Sequence, residues 1–188
     1  NLQFNPESGM EVVVTGKITT WSKFKTTYQI DIDKVELAGE GALLKLIEDR
    51  KKRLKAKGIF DTVHKCTLPF LPNKIGVITS PTGSVIHDII NRIQDRFPTN
   101  IDVWPVAVQG PDAAETIITA IKGFNSDIFQ DKPDVIIIAR GGGSAEDLMA
   151  FNDEKLAQVV FESTIPIISA IGHETDTTII DYVSDFRA

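Results

Sequence analysis

Four short runs of apolar, largely β-branched residues set the frame for this chain: "KIGVITS" (74–80), "IDVWPVAV" (101–108), "DVIIIA" (134–139) and "IPIISAIG" (165–172). Each is too short for an ordinary helix, and the runs at 134–139 and 165–172 are apolar almost throughout. That is the pattern of a strand buried on both faces. The segments that follow, 81–97, 110–125, 144–163 and 175–186, are each long enough for one helix. Strand followed by helix, four times over, predicts an α/β fold with a parallel sheet between flanking helices. In 81–97 the apolar residues Val85, Ile86, Ile89, Ile90 and Ile93 mark one helix face, with Ser80 expected as cap and Pro81 at the first position. A break is expected near Asn152 in the helix 144–163, and Thr175 or Asp176 is expected to cap the last helix.

Residues before 74 read differently. "EVVVTGKIT" (11–19) and "YQIDIDKVEL" (28–37) are expected strands, with Tyr28, Ile30, Ile32 and Val35 close to period two, joined by the polar link "TWSKFKT". A two-stranded hairpin is marginal by itself, so residues 1–38 read as the end of a larger β-domain. Residues 39–73 read as a basic linker helix, closed by Gly58, and a proline-punctuated connector. The net charge of −6 argues mildly against nucleic acid, yet residues 43–75 hold nine Lys or Arg against three Asp or Glu. That segment suits either phosphate contact or a solvated helix face. No apolar run approaches the about 20 residues of a membrane helix, and residues 1–6 lack the features of a signal peptide. The one cysteine, Cys66, cannot form an internal disulfide; the expectation is a cytoplasmic protein with no membrane partner.

Ligands of open parallel sheets bind beyond the carboxyl ends of the strands. Four loops lie there: "TSPTG" (79–83), "VQGPD" (108–112), "ARGGGSAED" (139–147) and "IGHETD" (171–176). Each precedes a helix, whose free N–H groups favour an anion. In the third loop, Gly141, Gly142 and Gly143 let the backbone approach a phosphate, and Arg140 adds a fork for two oxygens. A tight strand–helix turn with a surface arginine is the plain alternative. Ser144 and Asp147 have capping-box spacing. Neither the P-loop nor the dinucleotide glycine pattern is present. In the fourth loop, His173 with Asp176 suits a proton-transfer pair beside a phosphate, or an incidental histidine at a capped helix start. Glu146, Asp147, Asp153 and Glu154 suit either a hard cation or helix capping. If the strands at 134–139 and 165–172 are neighbours, roughly 4.8 Å apart, Arg140 and His173 share one rim. Asp88, on the polar face of its helix, attracts no notice by itself. Besides phosphodiester cleavage, a nucleotide or polyphosphate binding module and a metal-dependent phosphoesterase remain open at this point.

Together, "GVITSPTG", "PVAVQG", "ARGGGSAEDLMAFNDE" and "IPIISAIGHETDTTIIDYVSDFRA" resemble, in order and spacing, the large subunit family of exodeoxyribonuclease VII. The resemblance runs over residues 74–188 and more faintly towards the amino terminus. It implies a Rossmann-like catalytic domain at 74–188, preceded at 1–38 by the last strands of an OB-fold that binds single-stranded DNA, and cut before a coiled-coil region that holds the small subunit. It implies hydrolysis of single-stranded DNA from both the 5′ and 3′ ends, giving oligonucleotides with 5′-phosphates, in a multi-subunit complex. Carried over by motif, Asp88, Arg140, His173 and Asp176 are the catalytic candidates, Asp88 on the resemblance alone. Ser80, Thr82, Gln109, Gly141, Gly142, Gly143 and Ser144 are the candidates for gripping the DNA backbone. No cofactor and no metal ligand set is expected; Mg2+ is compatible with the acidic residues but no specific motif calls for it. Unpaired strand edges near the amino terminus are expected to favour dimers of such a piece. Met149, Ala145 and His87 depart from the residues common in the family at those positions.

Overall fold

The computed structural model describes residues 12–21, 27–37, 39–128 and 130–188. Glu11, the last five residues of the expected link (22–26), Ala38, Phe129 and the amino-terminal residues 1–10 lie outside the described residues. The chain forms two compact units, one ending at Glu48 and the other beginning at Asp49. In the first, β1 (Val12–Trp21) and β2 (Thr27–Leu37) form an antiparallel hairpin. Ile18 lies opposite Ile30 and Thr20 opposite Tyr28, and the register slips between Thr15 and Gly16. Gly16 is obligatory there: a Cβ would stand 2.2 Å from the carbonyl oxygen of Asp31. The period-two residues Tyr28, Ile30 and Ile32 are all exposed.

Helix α1 (Gly39–Ala56) carries the basic run. Several of its cations hold the end of this helix on the α/β unit. Arg50 donates to the carbonyl of Asn152 at 2.9 Å, Lys51 to the Tyr182 hydroxyl at 2.8 Å, and Arg53 pairs with Glu154 at 2.5 Å. Lys65 reaches the carbonyl of Ser184 at 2.8 Å. Much of the positive segment is thus a structural clasp, while Lys52, Lys55 and Lys57 remain exposed.

The second unit is built on a parallel sheet of β3 (Lys74–Thr79), β4 (Asn100–Pro105), β5 (Val135–Arg140), β6 (Ile167–Ile171) and β7 (Phe186–Arg187), in the order β4-β3-β5-β6-β7. Between them run α2 (Ser84–Arg96), α3 (Ala113–Asn125), α4 (Glu154–Phe161) and α5 (Ile179–Val183). Side chains alternate along β3, and the alternation separates the layers. Ile75 and Val77 pack with Ile86 of α2. Gly76 faces the other way, where a Cβ would stand 3.1 Å from the ring of Phe124 in α3. Val77, Ile136, Ile138 and Ile167 are sealed at 0–1% exposure, as continuous apolar strands require. Each buried side chain of this size contributes roughly 1.5–3 kcal/mol by burial alone. Among the described residues no helix is long and apolar enough to cross a membrane.

Three local expectations are corrected. α2 starts at Ser84 with Gly83 before it, not at Pro81, because Gly83 N–H bonds back to the carbonyl of Ser80 and closes a turn first. The last helix is short and is capped by Thr178, whose capping box with Asp181 is complete. A fifth strand, β7, then follows where helix was expected. The Asp185 carboxylate accepts the N–H of Ile167 at 2.7 Å and of Cys66 at 2.5 Å, drawing the chain out of the helix and alongside β6. The break near Asn152 is present: a 3₁₀ turn (Met149–Asn152) ends there, and Asp153 caps α4 through the N–H groups of Lys155 and Leu156.

Candidate functional site

The chain leaves β3 towards β4 on one side and β5 towards β6 on the other, so the direction of winding reverses between β3 and β5. In doubly wound sheets the ligand crevice lies at the carboxyl ends of the strands beside this reversal. Thr79 Oγ1 donates to the carbonyl of Ala139 at 2.8 Å and ties these two strand ends together. Arg140 ends β5, and its carbonyl accepts the N–H of Gly172 at 3.0 Å. That bond extends the β5–β6 ladder into the two loops that carry most of the candidate residues.

Arg140 is 8% exposed. Its guanidinium folds over its own loop: Nη1 donates to the Gly141 carbonyl at 2.9 Å, and Nη2 lies 3.5 Å from Gln109 Oε1 and 3.6 Å from Asp147 Oδ2. Asp147 also accepts the N–H of Ser144 while Ser144 Oγ accepts that of Asp147, both at 3.2 Å. This is the expected reciprocal box. It fixes the loop end and the carboxylate beside Arg140.

The glycines have a role that composition does not reveal. A Cβ on Gly143 would stand 2.1 Å from Arg140 Nη1, and one on Gly142 would stand 1.7 Å from Cε1 of His173. The guanidinium and the imidazole therefore occupy the space that side chains on two consecutive residues would fill. Gly172, at φ +69°, has Asp176 Cβ 2.6 Å from where its own Cβ would be, so glycine is required there for both backbone and space.

His173 is exposed, with 76% of its side chain accessible, and Nδ1 lies 3.4 Å from Asp176 Oδ2. The same oxygen accepts the His173 N–H at 2.8 Å. Asp176 thus faces the imidazole and its backbone at once. A cleft of about 600 Å³ opens at this rim, lined among others by Val85, Arg140, Gly141, His173, Glu174 and Arg187.

The structure therefore brings Arg140, Gly141, Gly142, Gly143, Gln109, Ser144, His173 and Asp176 into one neighbourhood. Ser80 and Thr82 lie on the loop after β3, their hydroxyls 3.3 Å apart. No bond ties Asp88 to this group. It lies one helical turn beyond Val85, which lines the cleft, and is exposed, and among the described residues its carboxylate has no hydrogen-bond or ion-pair partner. The acidic cluster disperses: Asp147 serves the Ser144 loop, Asp153 caps α4 and Glu154 pairs with Arg53. Among the described residues no three His, Cys, Asp or Glu side chains are grouped to hold a metal ion. Arg187 was not singled out by the sequence. It sits on a two-residue strand, too short to show any period, and Nη2 donates to the carbonyls of His173, Glu174 and Asp176.

A family model described as exonuclease VII, large subunit, matches residues 59–188. The exodeoxyribonuclease 7 large subunits of Mesorhizobium japonicum and Agrobacterium fabrum are 58% and 57% identical to the chain, covering all of it and 36% of their own length. That of Bartonella quintana is 55% identical, with 40% of its own length covered. The chain thus spans little more than a third of the length of the curated relatives it matches.

Proposed function

Because this chain belongs to the exonuclease VII large-subunit family, we propose that its cleft hydrolyses the P–O3′ bonds of single-stranded DNA, from both ends, leaving 5′-phosphates. The observation that carries the reading is the seating of the Arg140 guanidinium and the His173 imidazole on the adjacent Gly143 and Gly142. A cation fixed by a buried side chain stabilises the charge that builds on the phosphoryl oxygens, at little cost of reorganisation. The amides of Gly142 and Gly143, which have no protein acceptor among the described residues, add donors to the same face. His173 exchanges the proton: water attacks phosphorus, the bond to O3′ breaks, and O3′ leaves as a hydroxyl. Asp176 holds the imidazole through Nδ1. Asp88 positions water from the α2 wall, and Ser80, Thr82, Gln109 and Ser144 grip neighbouring backbone atoms.

The Arg140 guanidinium provides positive charge at the cleft from the protein itself, so the reading calls for no metal or other cofactor. A family whose members are named large subunits implies a smaller partner chain. The hairpin strands β1 and β2 pair only with each other among the described strands, which leaves room for a second copy at their edges. Cys66 is an exposed free thiol, in keeping with work in the cytoplasm.

The test uses the full-length protein assembled with its small subunit and a single strand labelled at either end, with and without chelator. Shortening from both labels, in both conditions, is expected. Binding without shortening would replace the reading by a binding module. Complete loss in chelator would replace it by a metal-dependent phosphoesterase.

A further inference from the structure

We infer that Arg187 is a positioning residue, which holds the loop bearing His173 and Asp176 so that the imidazole stays seated on Gly142. Within residues 173–177 the loop's own bonds are local. Asp176 N–H reaches the carbonyl of His173 at 2.9 Å, and Asp176 Oδ2 accepts the His173 N–H at 2.8 Å. These bonds shape the loop but fasten it to nothing else. The one side chain from outside that bonds to these residues, among those described, is Arg187. Its Nη2 donates to the carbonyl oxygens of His173 at 3.4 Å, of Glu174 at 3.1 Å and of Asp176.

The anchor is itself fixed. Arg187 pairs with Ser169 of β6, and the next residue, Ala188, donates its N–H to the carbonyl of Ser169 at 2.9 Å. Three carbonyl oxygens directed at one point repel one another unless a cation lies between them. A guanidinium fills that position with donors in a fixed plane, whereas a lysine offers one compact charge on a flexible stem. A neutral side chain leaves the oxygens to separate, and the loop carries His173 away from Gly142. The positional effect needs no substrate; its catalytic consequence rests on the proposed function.

The test has two readouts on Arg187→Gln and Arg187→Lys. In the chain without DNA, the nuclear Overhauser effect between His173 Hε1 and the Gly142 Hα protons reports the seating directly. It is expected to be strong in the unaltered chain, lost in Arg187→Gln and weakened in Arg187→Lys, with the signals of His64 and His87 unmoved. In the full-length assembly, kcat is expected to fall by about tenfold or more in Arg187→Gln, as for a misplaced catalytic group, with KM little changed and partial rescue by lysine. A full-strength effect in Arg187→Gln would overturn the inference whatever the rate. So would a rise confined to KM, the mark of a substrate contact. If Arg187→Gln does not fold, the same comparison on Arg187→Lys decides. If the effect is lost as expected but the unaltered assembly cuts no DNA, the proposed function fails and the positioning role stands.

Discussion

Replacing Gly142 by alanine separates the fold from the site. The added Cβ would stand 1.7 Å from His173 Cε1, 2.3 Å from Nδ1 and 2.5 Å from Nε2. Carbon atoms rest at about 3.5–4.0 Å, so the ring must retreat by about 2 Å. It is free to do so, because most of the side chain is exposed. Gly142 is not among the glycines with positive φ, so alanine fits the backbone and stabilises by about 0.4–1 kcal/mol through the unfolded state. Displacing the imidazole costs about 0.5–1.5 kcal/mol if it leaves its preferred rotamer. The two nearly cancel, and Tm should move by no more than about 4 °C in a chain of this length. Activity should respond quite differently, since a misplacement of about 1 Å can cost about 100-fold. Calorimetry on the chain and kcat/KM of the full-length assembly on a labelled single strand give the two numbers. A rate within about threefold of the unaltered enzyme, with the fold intact, would refute the claim that the seat of His173 matters, given the 100-fold expected.

Gly143→Ala should behave otherwise, because the group it displaces is buried: moving the Arg140 guanidinium from its partners is expected to cost about 1–3 kcal/mol as well as activity, read by urea denaturation. Asp185→Ala removes the acceptor for Ile167 N–H and Cys66 N–H; a loss of about 1–3 kcal/mol, and a Tm lower by about 2–4 °C for each, is expected. The Asp131 carboxylate hydrogen-bonded to Lys74, with Asp102 beside it, holds the Lys74 ammonium above its usual 10.5. A lysine raised in the folded state stabilises fully below its unfolded pKa and loses that contribution as pH rises through the folded one. Denaturation at a series of pH values should therefore show stability falling more steeply above 10.5 in the unaltered chain than in Lys74→Met.

The sheet was legible because its central strands β3 and β5 are buried on both faces and written as nearly unbroken apolar runs such as "DVIIIA", while the edge strand β4 is only partly covered. The rim was legible because parallel topology sends every carboxyl end, and so Arg140 and His173, to one side. What the glycines do was not. "RGGGS" reads as a loop whose amides cradle an anion, and nothing in a linear sequence says which distant side chain will lie on which glycine. The imidazole on Gly142 comes from a segment about thirty residues later and is placed by the β5–β6 ladder. Arg187 was illegible for a related reason: its strand is two residues long, and its role depends on three carbonyl groups, which carry no side-chain signature. Ser80 and Pro81 are strong helix-start signals in isolation, yet the backbone closes a turn over them before α2 begins. The basic run on α1 reads by itself as phosphate-seeking or solvated and is substantially a clasp, because its acceptors, Asn152, Tyr182 and Glu154, lie about a hundred residues away or more.

Whether the cleft beside Arg140 and His173 cuts DNA is decided by His173→Ala in the full-length assembly. The rate at which it shortens a labelled single strand should fall by about 100-fold to 10,000-fold, the contribution of a positioned general acid or base, while binding of the strand is retained. An undiminished rate would contradict the assignment of His173 and, with it, the mechanism built on this rim.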